Sequence, residues 1–307
     1  MSVPIVGAAP VSPTDSQPGL QVNFVGVMRG EFLKVARLFW GMLAILTVAF
    51  IVGFLLGGSS PDAKANLQTA PLLFLYNAVE SNMVVFRIFS GIFLIVFASF
   101  TIGREYQYGT IRILVARGVG RVQLLLAKLA MLGVVAVALL LAFTALTALL
   151  TCAQMLVLVG NLDALSALTP AFWPNIGIDL LATFISMGAT ILMAVAMNAL
   201  ARSLAVGMAL SLMWFPADNV ATLIMKTLER ITQSSFWSNA SSYFLGPLLN
   251  RLPTILLPAD ARSGFESFGS GQLVSVSVAH ALWVIGAYAL AFAALAFIST
   301  WKRDVTE

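Results

Sequence analysis

From Leu129 to Leu162 the chain carries no charged residue. A helix needs about 20 apolar residues to cross a bilayer's hydrocarbon, and this run offers no polar face to present to water. The run exceeds what one crossing requires, so the span it forms is expected to tilt or extend outward. Similar stretches, with few charges or none, fall at about 38–56, 83–102, 176–200, 203–225 and 273–300. Hydrophobic residues make up 60% of the chain and charged ones 10%, where a soluble domain has about a quarter of its residues charged. The sequence therefore predicts an all-α integral membrane protein with six transmembrane helices, its spans at about 38–56, 83–102, 129–160, 176–200, 203–225 and 273–300.

The flanks complete that layout. Residues 1–21 are rich in Pro, Ser and Gly and are expected to be a weakly ordered tail. They lack the basic start and apolar core of a cleaved signal peptide. Residues 22–37 mix Arg29, Lys34 and Arg37 with apolar residues at helical spacing, which predicts an N-terminal interfacial amphipathic helix. The transmembrane permease domain is expected over 38–301, with a short tail at 302–307. Between the first two spans, residues 62–82 predict an outer loop containing a short apolar piece, Pro71–Val79. Residues 161–175 predict a second outer loop, with Trp173 at the interface. The fifth span is expected to break near Pro216, which lacks the donor a helix needs there. Residues 226–272 predict a small outer cap.

Lys and Arg favour the cytoplasmic side of short loops. With the N-terminus inside, eleven of the seventeen cations lie on inner segments: Arg29, Lys34, Arg37, Arg104, Arg112, Arg117, Arg121, Lys128, Arg202, Lys302 and Arg303. Both termini are thus expected in the cytoplasm, with the protein multi-pass in the plasma (inner) membrane.

Enzyme chemistry finds little support. No G-x-x-x-x-G-K-[ST] phosphate loop occurs, nor H-E-x-x-H, nor a G-x-S-x-G elbow. There is one cysteine, Cys152, and one histidine, His280, too few for a disulfide or a histidine metal site. Gly269-Ser-Gly-Gln272 reads as a plain loop. No catalytic, cofactor or metal residue is expected in this chain. Ionisable groups near or in spans are functional candidates because charge in hydrocarbon is costly. Arg87 and Asp179 fall near span ends and are expected to reach headgroups or water. Pro216, Asp218 and His280 are the candidates for a gate or transport path: Asp218 beside Pro216 is the strongest, as a gate or a helix-break partner, and His280 either joins it or hydrogen-bonds a neighbouring helix while neutral. Ala287, Ala289, Ala291 and Ala293 permit close packing of the sixth span.

The stretch GREYQYGTIRILVARGVGRVQLLLAK, residues 103–128, stands apart. It holds Arg104, Arg112, Arg117, Arg121 and Lys128 against one acid, Glu105. Gly109 and Thr110 form a helix start, Thr being able to cap free N–H groups. Ile111, Leu114 and Val115 then share one helical face, and Gly118 and Gly120 end the helix. Two turns are too short to span a bilayer. One reading is a basic juxtamembrane loop; another is a surface helix against which a cytoplasmic partner pushes.

Glu105, Gly109-Thr110, the apolar helix, Arg121 and Lys128 entering the next span resemble the first cytoplasmic loop of ABC type-2 export permeases. The resemblance extends to the six-span layout and is weakest in residues 1–20 and 226–272. It implies that Arg104 to Lys128 holds a cytoplasmic coupling helix between spans two and three, docking on a cytoplasmic ABC ATPase subunit. Glu105 would then fix the loop's shape or meet a basic residue of that motor. The resemblance also implies re-entrant helices between the last two spans, and a second permease copy or homologue. ATP and Mg2+ would be bound by the partner ATPase. Membrane lipids are expected neighbours, and no nucleic acid. Two other readings stand beside it. An ion-gradient-driven secondary transporter or channel would need paired polar breaks near mid-membrane. A non-transporting membrane scaffold would need none.

Overall fold

The computed structural model describes residues 24–57, 63–108, 120–258 and 276–301. Among them the chain forms α1 (Phe24–Gly57), α2 (Ala63–Thr69), α3 (Pro71–Tyr108), α4 (Arg121–Val159), a 3-10 turn (Asp163–Ala167), α5 (Phe172–Ala201), α6 (Leu204–Thr232), α7 (Phe236–Ser241), α8 (Leu245–Leu256) and α9 (Val278–Trp301). There is no strand among the described residues. Six helices, α1, α3, α4, α5, α6 and α9, are long and apolar enough to cross a membrane.

Three boundaries differ from those expected. Residues 24–37 are not a helix apart; they continue without a break into the first span as α1. No Gly or Pro interrupts the junction at 37–38, so nothing stops propagation there. The piece at 71–79 is not loop but the first turns of the 38-residue α3. Pro71 starts it, at the position where a missing N–H is harmless. Two polar residues near the end of the expected loop are buried inside the helix bundle. Asn82 donates to the Ala78 carbonyl at 2.7 Å, and Glu80 pairs with Arg87 two turns along the same face. The third correction concerns α6, which runs unbroken through Pro216. The proline withholds one backbone donor from the Leu212 carbonyl, and the surrounding ladder is enough to keep the helix continuous.

Helices α3 and α5 run parallel in one register. Asn175 donates to the Tyr76 hydroxyl at 3.0 Å and Asn198 to the Ser99 hydroxyl at 2.8 Å, and both pairs are 99 positions apart. A constant offset requires parallel helices, and it holds over about 35 Å of helix. Helix α4 returns between them. Its Phe143 stacks on Phe86 of α3 and meets Phe50 of α1 edge-on, each at 5.0 Å between ring centroids. These rings belong to the main apolar core, which α5, α8 and α9 complete. A smaller cluster closes the far end, where Leu67 of α2, Tyr76, Met155, Phe172 and Leu257 meet. The face of α9 turned inward runs through Ala281, Ile285, Phe292 and Ala296, whereas Ala287 and Ala291 are exposed.

The link between α5 and α6 is two residues long. Arg202 adopts the left-handed conformation, φ 52°, and its N–H closes on the Asn198 carbonyl. Ser203 then caps α6. So tight a turn forces the two helices together, and Gly207 is what lets them approach. A Cβ placed there would lie 2.7 Å from the Cα of Asn198.

Candidate functional site

At the end of the bundle where α3 finishes and α4 begins, four charges from three helices meet. The Lys128 ammonium of α4 reaches Glu31 of α1 at 2.5 Å, Glu105 of α3 at 3.0 Å and the Thr101 carbonyl at 3.0 Å. Three acceptors match the three donors of an ammonium group. Lys34, more exposed, bridges Glu31 and Glu105 from outside. Glu31, Glu105 and Lys128 are buried. Two cations against two anions leave the cluster neutral, the condition under which buried charge is tolerated.

Two residues singled out in the sequence, Glu105 and Lys128, are thus brought into direct contact. They close the base of the segment between them. Glu105 is buried and pairs with Lys34 and Lys128 within the bundle. Arg104, its neighbour, is exposed, and Arg121 is half-buried at the start of α4. Gly109, Thr110, Ile111, Arg112, Leu114, Val115 and Arg117, with the coupling helix they were expected to form, lie outside the described residues. Glu31 escaped notice in the sequence. Its signal was that of a lone acid in a basic segment, three residues before Lys34.

The three gate candidates fall around the segment that links α6 to α9. The Asp218 carboxylate, midway along α6, accepts the N–H of Gly246 at 2.8 Å. Gly246 lies in the first turn of α8, where free backbone donors favour a negative group. A side chain at Gly246 would press on Asp218 and Phe215, its Cβ at 3.2 and 3.3 Å from them. His280, in the first turn of α9, places its Nε2 at 3.2 Å from the Ser242 carbonyl, where it donates. Its ring meets Tyr243 edge-on. Asp218 and His280 therefore hold the two ends of the 242–246 stretch. Pro216 directly follows Phe215, whose ring faces the Gly246 position of α8, and does not break its helix.

The charged residues assigned to span ends behave differently from expectation. Arg87 and Asp179 do not reach headgroups or water. Arg87 donates to Glu80 at 3.0 Å and to Asp179 at 3.3 Å, and Asp179 is fully buried. Glu80 and Arg87 are two turns apart on α3, hence on one face, and that spacing was the available clue. Among the described residues, no group of three or more His, Cys, Asp or Glu could hold a metal ion.

The sequence profile of a family described as ABC-2 family transporter protein matches residues 27–218. No curated protein matches the chain. The matched region takes in α1 to the middle of α6, and with them the Glu31–Lys34–Glu105–Lys128 cluster.

Proposed function

This chain belongs to the ABC-2 family of transporter proteins, a multi-pass membrane permease, and from that premise we propose that it is the permease subunit of an ATP-driven exporter. The motor is a separate cytoplasmic ABC ATPase, which binds ATP and Mg2+; the permease itself has no catalytic or cofactor-binding role. Two permeases, identical or homologous, complete the transporter. Both termini face the cytoplasm at the plasma membrane, as the Lys and Arg distribution favours. Cargo leaves the cytoplasm or the inner leaflet, and the scarcity of charge in the spans favours an apolar, amphipathic or lipid-like molecule.

The single observation that carries the coupling role is the buried ion cluster under the 106–120 segment. Lys128 ties the start of α4 to the end of α3 and to α1. A push on the segment would be delivered to three spans at once. In this reading Thr110 to Arg117 forms the docking helix, with Ile111, Leu114 and Val115 filling a groove on the motor and Arg112 and Arg117 setting register at its rim. Helix α8, apolar and packed among α5, α6 and α9, serves as a re-entrant helix held by Asp218.

The test is Leu114→Asp, which puts an unpaired charge into an apolar contact at a cost of roughly several kcal/mol. The variant is expected to reach the membrane in normal amount and to lose the ATPase on purification in mild detergent, or to keep it with ATP turnover deaf to cargo. Full transport with the partner retained would reduce the loop to a basic membrane-facing segment.

A further inference from the structure

We propose that Asp179 is a proton-exchange site inside the helix bundle. The residue is fully buried on α5. One of its oxygens, Oδ1, receives the Arg87 guanidinium at 3.3 Å; the other, Oδ2, is buried with no hydrogen-bond partner. Arg87 is shared, and its shorter contact, 3.0 Å, goes to Glu80. An ionised carboxylate accepts at both oxygens, and burial with one of them unserved is unfavourable. A proton on Oδ2 removes that charge. The new O–H finds hydroxyls close in sequence and depth: Thr183 stands one turn along the same face of α5, and its Oγ1 is also buried without a hydrogen-bond partner.

A proton suits the site better than a metal ion. Hard cations require several converging oxygens, and among the described residues no three His, Cys, Asp or Glu gather to supply them. The adjacent guanidinium also repels a second cation. The charged groups acting on Asp179 are Arg87 and Glu80, both from α3. Tyr76 of the same helix is one turn beyond Glu80 and hydrogen-bonded to Asn175. Among the described residues no charged group from another helix packed on α3 or α5 acts on it. Asp179 lies about 10 Å along α5 from its start at Phe172, and in this proposal the proton exchanges with water at that end of the helix. On uptake, an O–H bond forms at Oδ2 and Arg87 turns wholly to Glu80. On release, that bond breaks, the proton returns to water, and the guanidinium again serves both acids.

Infrared difference spectroscopy of the purified permease in lipid, acid against alkaline, reads this directly through the C=O stretch of a protonated carboxylic acid. The expected result is a buried-acid band that shifts when the protein is labelled with 13C-aspartate, vanishes in Asp179→Asn and persists in Asp218→Asn. A band unmoved by aspartate labelling assigns the proton to a glutamate, and one lost in Asp218→Asn assigns it to Asp218; either overturns the proposal. So does the absence of any such band. Should Asp179→Asn fail to accumulate, labelling of the unmodified protein together with Asp218→Asn decides the matter. The readout needs no ATPase and no cargo, so it stands apart from the exporter reading.

Discussion

Asn198 on α5 donates to the Ser99 hydroxyl on α3 at 2.8 Å, and the same side chain fills the space left by glycines on two helices. A Cβ at Gly103 would come within 2.8 Å of its Oδ1, and one at Gly207 within 2.5 Å. The asparagine therefore joins α3, α5 and α6 where their backbones lie too close for larger residues. Small residues at such crossings are what membrane helices use in place of the hydrophobic effect.

Gly207→Ala should lower stability despite the better helix propensity of Ala, worth about 1 kcal/mol. Its Cβ meets the Asn198 side chain at 2.5 Å and the Asn198 Cα at 2.7 Å; the backbone atom yields only if the helices part, and overpacking of this kind costs about 1–3 kcal/mol. Gly133→Ala is the control, since its Cβ meets nothing within 4 Å. Thermal unfolding in detergent should show a lower midpoint for Gly207→Ala and an unchanged or higher one for Gly133→Ala.

Lys128→Ala should destabilise by about 3–5 kcal/mol, because it strands Glu31 and Glu105 together in a buried setting. Lys128→Met with Glu31→Gln keeps the volume and removes one of those charges. Its loss should be smaller than the sum of the two single substitutions, a coupling that a double-mutant cycle measures directly.

Asp218→Ala removes the side chain that accepts the Gly246 N–H. A lost cap of this type costs about 1 kcal/mol, so global stability should fall little. The effect should be local, with faster protease cleavage in residues 233–257, while Asp218→Asn, which keeps an acceptor oxygen, stays close to wild type. Equal cleavage in all three would show that the contact does not hold α8.

Pro216→Ala restores a donor to the Leu212 carbonyl in a helix that is already continuous. It should insert normally and be as stable as wild type or slightly more so. A large loss of stability would mean that the proline's shape is needed for packing.

In a Cys152→Ala background, Ser59→Cys and Ser270→Cys should label with an impermeant thiol reagent added to intact cells, and Gly118→Cys should not. Labelling of Gly118→Cys from outside would reverse the orientation.

Much of this architecture is legible in the sequence because a bilayer accepts so few backbones. Apolar runs such as 129–162 must become helices whatever surrounds them, since only a helix satisfies its own N–H and C=O groups there. The number of spans and the turn at Arg202 follow from that rule and from where charge interrupts the runs. Burial of charge does not follow. Arg87, Asp179 and Glu80 look like residues bound for water until α3 and α5 are laid side by side, and Lys128 looks like one more loop cation until Glu31 arrives from α1. Pro216 carried a local rule against helix continuation, and the neighbouring ladder and packing overrode it. Which segments are apolar and long enough to cross a membrane can be read from the chain alone, because transfer to hydrocarbon is set by each segment's own composition. Only the tertiary structure decided which polar groups meet, because each pairing joins residues distant in sequence, through helix registers and crossings that no local pattern encodes.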